Sequence, residues 1–373
     1  MKKQKSALFC TLVTYFVMLI CFVLVRIVFA YVTFSINSST LDLLSTLFVQ
    51  GGLMFVLSVG LFSILRKQKL SSTFKGFGYK KIAMYPMFIA VLIGVVCYFL
   101  NTFVASFFST IINFMGYESA PTLATANSTD YSFVAFLLQV FVVAVLPAIG
   151  EETAHRGLLL HGFSSMGVTR ALVYSSLLFG LMHLNIHQFF YATILGFIIG
   201  LTVVMTNSIF PAIIVHFMNN FLSTYFTFAK PNGWVFSDVP QMFSNFLFGT
   251  GNLIGFFLRS IIMLGLILLI LGSLFVSLVK HTRVKEIKKM ISDIKQIDQE
   301  FSTSPQNYGG SEDVAVLHTL KSLIDEYNSE GTVVFSKQED KVNKPKPFEK
   351  VFLWAILTIG IVVTISTFAW GIV

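Results

Sequence analysis

The chain has 373 residues, of which 55% are hydrophobic, 15% aromatic and only 12% charged, and its formal net charge is +8. A mean hydropathy of +0.78 excludes an ordinary soluble domain and predicts a membrane protein built from apolar helices. The positive charge does not indicate a nucleic-acid partner, because the lysines and arginines collect at the ends of apolar segments.

The apolar segments, taken in chain order, predict an all-α polytopic membrane protein with about nine transmembrane helices. We place these helices at about residues 7–33, 41–65, 82–114, 131–161, 168–186, 188–206, 209–228, 252–280 and 350–373. The first segment resembles a signal peptide, but its apolar run is too long for the h-region of one, so we expect a retained helix. The three cysteines lie inside apolar segments and are interpreted as small buried hydrophobes.

Basic residues assign a side of the membrane to each loop. Lysine and arginine are abundant before the first segment, between the second and third, and after the eighth, whereas residues 34–40 and 115–130 contain neither. The positive-inside rule therefore predicts a cytoplasmic N-terminus and an extracellular C-terminus. The positive inner loops, and the absence of retention signals, favour a multi-pass protein of a bacterial plasma membrane.

The polar region 281–349 separates the last two apolar segments. Residues 284–297 carry apolar side chains at helical spacing, and a second helix is predicted from Ser311 to Gly331. We expect a small cytosolic helical insert, either a hairpin that binds a protein partner through residues 284–330 or a linker with no task of its own.

Two adjacent glutamates, Glu151 and Glu152, follow the unbroken apolar stretch 133–150. A carboxylate in hydrocarbon costs at least about 2.5–3.5 kcal/mol, so an intramembrane carboxylate is a candidate functional residue. Repulsion between two such groups, together with burial, makes one of them a better proton acceptor. The alternative is that the segment ends at Gly150 and that the pair marks the water interface.

Residues four apart share one face of a helix, and this spacing gives the glutamates partners. Glu152 and Arg156 are so placed, which predicts a buried ion pair that neutralises one carboxylate. Glu151 is then left free for chemistry, with His155 on its own face.

The following segments carry further polar residues at the same spacing. Phe179, His183 and His187 succeed one another at intervals of four, and His216 and Asn220 are also four apart. One isolated histidine would more simply be a hydrogen-bond contact between helices. Several helices that each carry such groups favour a shared polar cavity.

These residues together resemble a known signature. Glu151-Glu152-x-x-x-Arg156, then Phe179-x-x-x-His183, then His216-x-x-x-Asn220 is similar to the motif set of the CAAX-prenyl-protease-2 and bacteriocin-processing family, also called CPBP or Abi, which are intramembrane glutamic endopeptidases. The three motifs occur in order over about residues 131–225. The resemblance does not extend to the polar region or to the last apolar segment.

The resemblance implies a helical core with a cavity open to the cytosol. It implies that Glu151 activates water with the help of His183, and that His216 and Asn220 stabilise the oxyanion. Glu152 and Arg156 complete the implied site, with no cofactor and no metal. Peptide hydrolysis without a nucleophilic side chain needs a base that activates water and preorganised donors that stabilise the oxyanion. The chemistry of these residue types therefore agrees with the implied roles.

Two other hypotheses remain open at this stage. Glu151, His155, His183 and His187 form two pairs at the spacing by which helices hold zinc, although Arg156 beside them would repel a cation. A membrane scaffold or immunity protein could instead keep the fold and act by binding a partner.

The predicted organisation is therefore an intramembrane protease core at residues 131–228 within a larger membrane protein. N-terminal transmembrane helices occupy residues 1–130, a further one lies within 229–280, the cytosolic insert spans 281–349 and a C-terminal helix covers 350–373. We expect the partners to be the lipid bilayer and a peptide or lipidated protein substrate.

Overall fold

The computed structural model describes residues 6–31, 38–114, 130–248, 253–303 and 345–370. Regular structure within these ranges is entirely helical, which confirms the all-α polytopic fold. The second predicted helix of the insert, Ser311 to Gly331, lies outside the described residues.

The helices are numbered here in chain order. The first four are α1 (Ala7–Tyr31), α2 (Ser38–Thr46, Leu47–Leu57 and Ser58–Arg66), α3 (Leu70–Gly76) and α4 (Met84–Phe114). The central four are α5 (Phe133–Gln139, Val140–Val145, Leu146–Glu152, Thr153–Leu159 and Leu160–Phe163), α6 (Val168–Met182), α7 (Ile186–Thr206) and α8 (Phe210–Asn232). The last three are α9 (Val239–Phe248), α10 (Leu253–Thr303) and α11 (Pro347–Trp370).

Seven of the described helices are long and apolar enough to cross a membrane, namely α1, α2, α4, α5, α7, α10 and α11. The two remaining predicted spans are helical, but one is too short and the other is too polar to meet these criteria. Helix α6 has 15 residues and a length of about 22 Å, short of a hydrocarbon core of about 30 Å. Helix α8 has 23 residues, but His216, Asn219 and Asn220 lower its hydropathy. The total of nine spans stays a prediction.

Helix α10 is longer than the sequence pattern suggested. It runs unbroken for 51 residues from Leu253 to Thr303, so the amphipathic stretch 284–297 continues the apolar helix and does not start a separate one. An apolar half and a polar half can share one helix, because helical hydrogen bonds depend on the backbone and not on side-chain polarity.

The helix ends next to the basic loops lie together at one end of the helix bundle. The Ile209 amide donates to the Gly78 carbonyl at 2.8 Å, which joins the loop before α4 to the start of α8. The Tyr85 and Ser277 hydroxyls are 2.7 Å apart, which joins the start of α4 to α10. The relative sides of these loops therefore agree with the predicted alternation of helix directions.

The first and last helices also meet at their N-terminal ends. The Ser6 hydroxyl donates to Glu349 Oε1 at 2.6 Å, and the Lys346 amide donates to Oε2 of the same side chain at 2.8 Å. Phe9 packs edge-on against Phe348, with ring centroids 5.3 Å apart. A buried glutamate at the first turn of α11 thus ties that helix to the start of α1.

A tight turn joins α6 to α7 and presents His183. Leu184 has φ 51°, a left-handed conformation that is strained for a bulky side chain. Asn185 then caps α7, since its Oδ1 accepts a hydrogen bond from the His187 amide at 2.9 Å. Glycine lets the two helices approach closely, because a β-carbon at residue 180 would meet the Phe189 carbonyl oxygen at 2.8 Å.

Candidate active site

The two glutamates lie where the geometry of α5 changes. Glu151 and Glu152 end the α-helical stretch Leu146–Glu152, and wider π-helical turns follow over Thr153–Leu159. Such turns shift side chains around the helix axis and often occur at functional sites. Pro147 opens the stretch that carries the glutamates, and every residue from Glu152 to Leu160 is buried.

Glu152 is fully buried and holds two cationic or potentially cationic partners on a single oxygen. Its Oε1 accepts from Arg156 Nη1 at 3.0 Å and from His216 Nδ1 at 2.7 Å. The Glu152–Arg156 pair that the spacing predicts is therefore present, and His216 is an additional partner from α8. The carboxylate of Glu152 is therefore already engaged by a buried cation and an imidazole.

Arg156 occupies a cavity shaped for its guanidinium group. Nη2 donates to the Gly196 carbonyl at 2.9 Å, and the guanidinium lies 4.5 Å from the centre of the Phe179 ring. A β-carbon at residue 196 would lie 3.3 Å from Nη2 and 3.1 Å from the Phe179 ring, so glycine leaves room for both groups. The buried cation is thus compensated by a carboxylate, a carbonyl and an aromatic face.

Phe179 stands at the centre of the histidines. Its ring packs edge-on against His155, His183 and His216, with centroid separations of 5.0, 5.2 and 5.8 Å. The phenylalanine of the second motif therefore separates and orients three imidazole rings in addition to stacking on Arg156.

Glu151 differs from its neighbour in exposure and in partners. Its side chain is 14% exposed, whereas that of Glu152 is fully buried. Oε1 accepts a hydrogen bond from Gln50 Nε2 of α2 at 2.8 Å. Oε2 lies 3.9 Å from His216 Nε2, too far for a direct hydrogen bond. Glu151 is therefore a carboxylate that no cation neutralises by direct contact among the described residues.

His155 uses both of its ring nitrogens within the protein. Nδ1 donates to the Glu151 carbonyl at 2.8 Å, and Nε2 lies 3.2 Å from the Tyr15 hydroxyl of α1, whose oxygen also lies 3.3 Å from the Leu178 carbonyl oxygen. The side chain is fully buried. His155 therefore links α1 to α5 and has no free nitrogen for a ligand.

His183 keeps one nitrogen free. Nδ1 donates to the Phe179 carbonyl at 2.9 Å, which leaves Nε2 unprotonated in the neutral ring. Within the described structure no hydrogen bond joins His183 to Glu151. Their proposed cooperation therefore requires a molecule that contacts both groups.

Asn220 belongs to a chain of amides that crosses three helices. Asn101 Nδ2 of α4 donates to Asn219 Oδ1 at 2.7 Å, and Asn219 Nδ2 donates to Asn220 Oδ1 at 2.9 Å. Asn220 Nδ2 in turn donates to the Val143 carbonyl of α5 at 3.0 Å. These partners fix which atom of the Asn220 amide is the nitrogen, and its second hydrogen remains available as a donor.

Tyr79, in the loop before α4, supports the helix that carries the glutamates. Its hydroxyl is 2.6 Å from Thr153 Oγ1, which itself donates to the Ile149 carbonyl, so Tyr79 is the donor. Burial raises the pKa of Tyr79; the hydrogen bond to Thr153 opposes this effect, and the charge of Glu152 adds to it. The phenol therefore stays neutral and keeps donating at ordinary pH.

The residues of the alternative zinc site are not brought together. Across the described ranges, no group of three or more histidine, cysteine, aspartate and glutamate side chains is arranged to hold a metal ion. His187 lies in the first turn of α7, and its backbone amide donates to Asn185 Oδ1. By contrast Glu151, Glu152, Arg156 and His216 form one connected cluster.

Several residues of this region were missed by the sequence analysis. They are Tyr15, Gln50, Tyr79, Asn101 and Asn219. Gln50 and Asn101 could have been noticed as single amides inside apolar segments, since polar residues there usually bond across helices. Tyr15 and Tyr79 carry no such signal, because tyrosine is common at any depth and their partners lie far away in sequence.

Comparisons with known proteins identify a similar family for part of the chain. Neither the curated proteins nor the solved structures include a match to the chain. Residues 133–222 match the family model described as type II CAAX prenyl endopeptidase Rce1-like. This range contains both glutamates, Arg156, His183, His216 and Asn220. The resemblance to the CPBP membrane proteases is therefore confirmed over residues 133–222.

Proposed function

We propose that the protein is an intramembrane endopeptidase that hydrolyses a peptide bond with water activated by Glu151. The observation that carries this proposal is the contrast between two neighbouring carboxylates. Glu152 is buried and bound by Arg156 and His216, whereas the side chain of Glu151 is partly exposed and, among the described residues, hydrogen-bonds only to neutral Gln50. The match to an endopeptidase family over residues 133–222 supports the same reaction.

Water attack requires a base on one side of the reacting carbon and donors on the other. Glu151 takes a proton from water as the oxygen bonds to the peptide carbon, and the carbonyl electron pair moves onto oxygen. Glu151 then returns the proton to the nitrogen as the carbon–nitrogen bond breaks. His183 Nε2 serves as the second acceptor that orients the water.

His216 and Asn220 are the proposed donors to the oxyanion. The bond from His216 Nδ1 to Glu152 Oε1 fixes the orientation of the imidazole ring. The proposed donation from Nε2 to the oxyanion uses the imidazolium form, which carries a hydrogen on both nitrogens. The Asn220 amide is held by Asn219 and Val143. Glu152 and Arg156 are therefore proposed to act on the reaction through His216 and not by direct contact.

The proposed substrate is a peptide or lipidated protein that reaches the site from the membrane. The family description names a prenyl endopeptidase, which supports a lipid-anchored C-terminal segment as one class. We propose a bacterial plasma membrane with a cytoplasmic N-terminus. Residues 284–330 are proposed as a further contact for a protein partner.

The test is cleavage of a peptide by purified protein in detergent. Glu151→Gln keeps the volume and hydrogen bonding but cannot take the proton, so cleavage should disappear while the substrate still binds. Because the base and the water-orienting group act as one unit, His183→Ala should also lose cleavage activity. The double variant should be hardly less active than either single variant. Full activity in Glu151→Gln would remove the proposed mechanism.

Two controls separate this proposal from the alternatives. Activity that is lost on prolonged chelation and restored by zinc would transfer the site to a metal held by Glu151, His155, His183 and His187. A cellular phenotype that survives Glu151→Gln but not removal of residues 284–330 would favour a scaffold or immunity protein.

A further inference from the structure

Gln50 comes from a helix outside the matched domain and contacts the proposed base directly. It lies in the π-helical stretch Leu47–Leu57 of α2, and its Nε2 donates to Glu151 Oε1 at 2.8 Å. This bond is the only hydrogen bond that the side chain of Glu151 forms with a described residue. A lone amide in an apolar helix is costly unless it has such a role.

The backbone of α5 is shaped to receive this side chain. A β-carbon at residue 150 would lie 2.5 Å from the Gln50 carbonyl oxygen and 3.0 Å from Gln50 Oε1. Only glycine permits this approach, so α2 and α5 are in backbone contact immediately before Glu151. The Gln50 amide is held against Gly150, and its buried Oε1 accepts no hydrogen bond from any residue that the structure describes.

The orientation of the Gln50 amide follows from charge. A carboxylate can only accept, so the amide must turn its nitrogen towards Glu151 and its oxygen towards Gly150. One oxygen of Glu151 is thereby occupied. The other, Oε2, is directed to the region where His216 Nε2 lies 3.9 Å away. A single oxygen atom hydrogen-bonded to both groups would span that distance.

We infer that Gln50 is a positioning residue. Its hydrogen bond occupies Oε1 of Glu151, which leaves Oε2 as the oxygen that takes the proton from water. This inference rests on the proposed function, because it assigns a role within the same reaction. Without the Gln50 bond the carboxylate can rotate about its last side-chain torsion and present either oxygen in many directions. Such misplacement at a reacting centre costs about 10²-fold in rate.

The first test replaces the amide by an apolar group of similar size. Gln50→Met should lower kcat about 10²-fold, leave KM within about twofold and leave thermal stability unchanged. Gln139→Met is the matched control, because Gln139 is a half-buried glutamine of α5 whose side chain bonds to no described residue. It should keep full activity. Measurements use the full chain in detergent with the same cleavable peptide.

The second test changes the chemistry and not the size. Gln50→Glu places a carboxyl group at the amide position, where its ionised form can no longer donate to Glu151. Its protonated form has a donor and an acceptor, as the amide does, and two facing carboxyl groups then share one proton. The activity optimum should therefore move to lower pH, while Arg156 and His216 are unchanged. A purely structural role for Gln50 would not move the optimum.

The outcomes separate this inference from the function on which it rests. Activity in Glu151→Gln removes the glutamate mechanism and the role of Gln50 with it. An inactive Glu151→Gln, combined with unchanged kcat in Gln50→Met and an unchanged optimum in Gln50→Glu, overturns the role of Gln50 alone. If Gln50→Met lowers thermal stability, the pH optimum of Gln50→Glu decides whether Gln50 is a positioning residue. A shift to lower pH supports that role, and an unchanged optimum overturns it.

Discussion

At the scale of single residues, Glu151 and Glu152 show how packing divides two chemically identical groups. Glu152 points into a fully buried cluster with Arg156 and His216, and Glu151 points towards Gln50 and a partly exposed region. Buried charges are tolerated when they are paired, and a proton acceptor must stay accessible to its substrate. Adjacent positions on one helix satisfy both requirements because their side chains project about 100° apart.

Arg156→Ala should destabilise the folded protein as well as abolish activity. The substitution leaves Glu152 fully buried without its guanidinium partner, which typically costs about 3–5 kcal/mol. Thermal unfolding in detergent and the yield of folded protein measure this effect. Arg170→Ala is the control, because Arg170 is exposed and its Nη1 donates only a long hydrogen bond, of 3.5 Å, to the Met166 carbonyl among the described residues. Equal stability of the two variants would refute the structural role.

Asn220→Ala should lower kcat about 10²–10³-fold without abolishing cleavage, because it removes one oxyanion donor. Asn101→Leu should produce a smaller loss in the same direction, since Asn101 acts only through Asn219. The split between kcat and KM checks this, because a structural fault would affect both or lower the melting temperature. A larger loss in Asn101→Leu than in Asn220→Ala would contradict the proposed chain.

Local spacing predicted some of these contacts and could not predict others. The Glu152–Arg156 pair follows from helical geometry, since positions four apart meet on any helix. The bonds from Gln50 to Glu151 and from His216 to Glu152 join helices far apart in sequence, so they depend on how the helices pack. The contact of His155 Nε2 with Tyr15 likewise joins helices far apart in sequence, and no pattern in the chain reveals the position of Tyr15.

At the scale of helices, close approach depends on small residues. Gly180 lets α6 reach α7, Gly94 lets α4 reach α8, and Gly150 lets α5 reach α2. Because lipid tails are as apolar as the side chains, helices in membranes associate through such packing and through hydrogen bonds. The position of His183, at the end of α6, therefore depends on Gly180.

Gly180→Ala should lower stability by about 1–3 kcal/mol and reduce activity. The added carbon would meet the Phe189 carbonyl oxygen at 2.8 Å, so α6 must move away from α7 and take His183 with it. Gly265→Ala in α10 is the control, because nothing lies within 4 Å of its added carbon. That variant should be as stable as the parent. Thermal unfolding and peptide cleavage of the two variants provide the comparison.

Helix existence was easier to predict than helix limits. Each of the seven described helices that are long and apolar enough to cross a membrane lies in one of the predicted apolar segments, because hydropathy reports the tendency to enter lipid directly. The end of α6 at Met182 was not predicted, since the apolar pattern continues through a turn formed by Leu184 in a left-handed conformation. The extension of α10 to Thr303 was also not predicted, because polarity changes along it while the backbone remains helical.

At the scale of the whole molecule, charge and contacts define one end of the bundle. Lys80 donates to Asn207 at 3.3 Å and the Ser208 hydroxyl donates to the Lys80 carbonyl, so the basic loop before α4 meets the turn after α7. The Thr282 hydroxyl donates to the Met205 carbonyl, which brings the polar continuation of α10 to the same end. The positive-inside rule predicts that this end faces the cytosol.

Labelling of single cysteines in intact cells tests this orientation. After replacement of Cys10, Cys21 and Cys97, a membrane-impermeant thiol reagent should label Ser119→Cys and should not label Ser164→Cys or Ser311→Cys. Ser119 belongs to the sequence 115–130, which contains no lysine or arginine, Ser164 follows α5 at the basic end, and Ser311 belongs to the polar region 281–349. Permeabilised cells provide the control, because all three positions should then react. Labelling of Ser164→Cys and Ser311→Cys from outside would reverse the orientation, and substrates would then have to approach the cavity from the opposite face of the membrane.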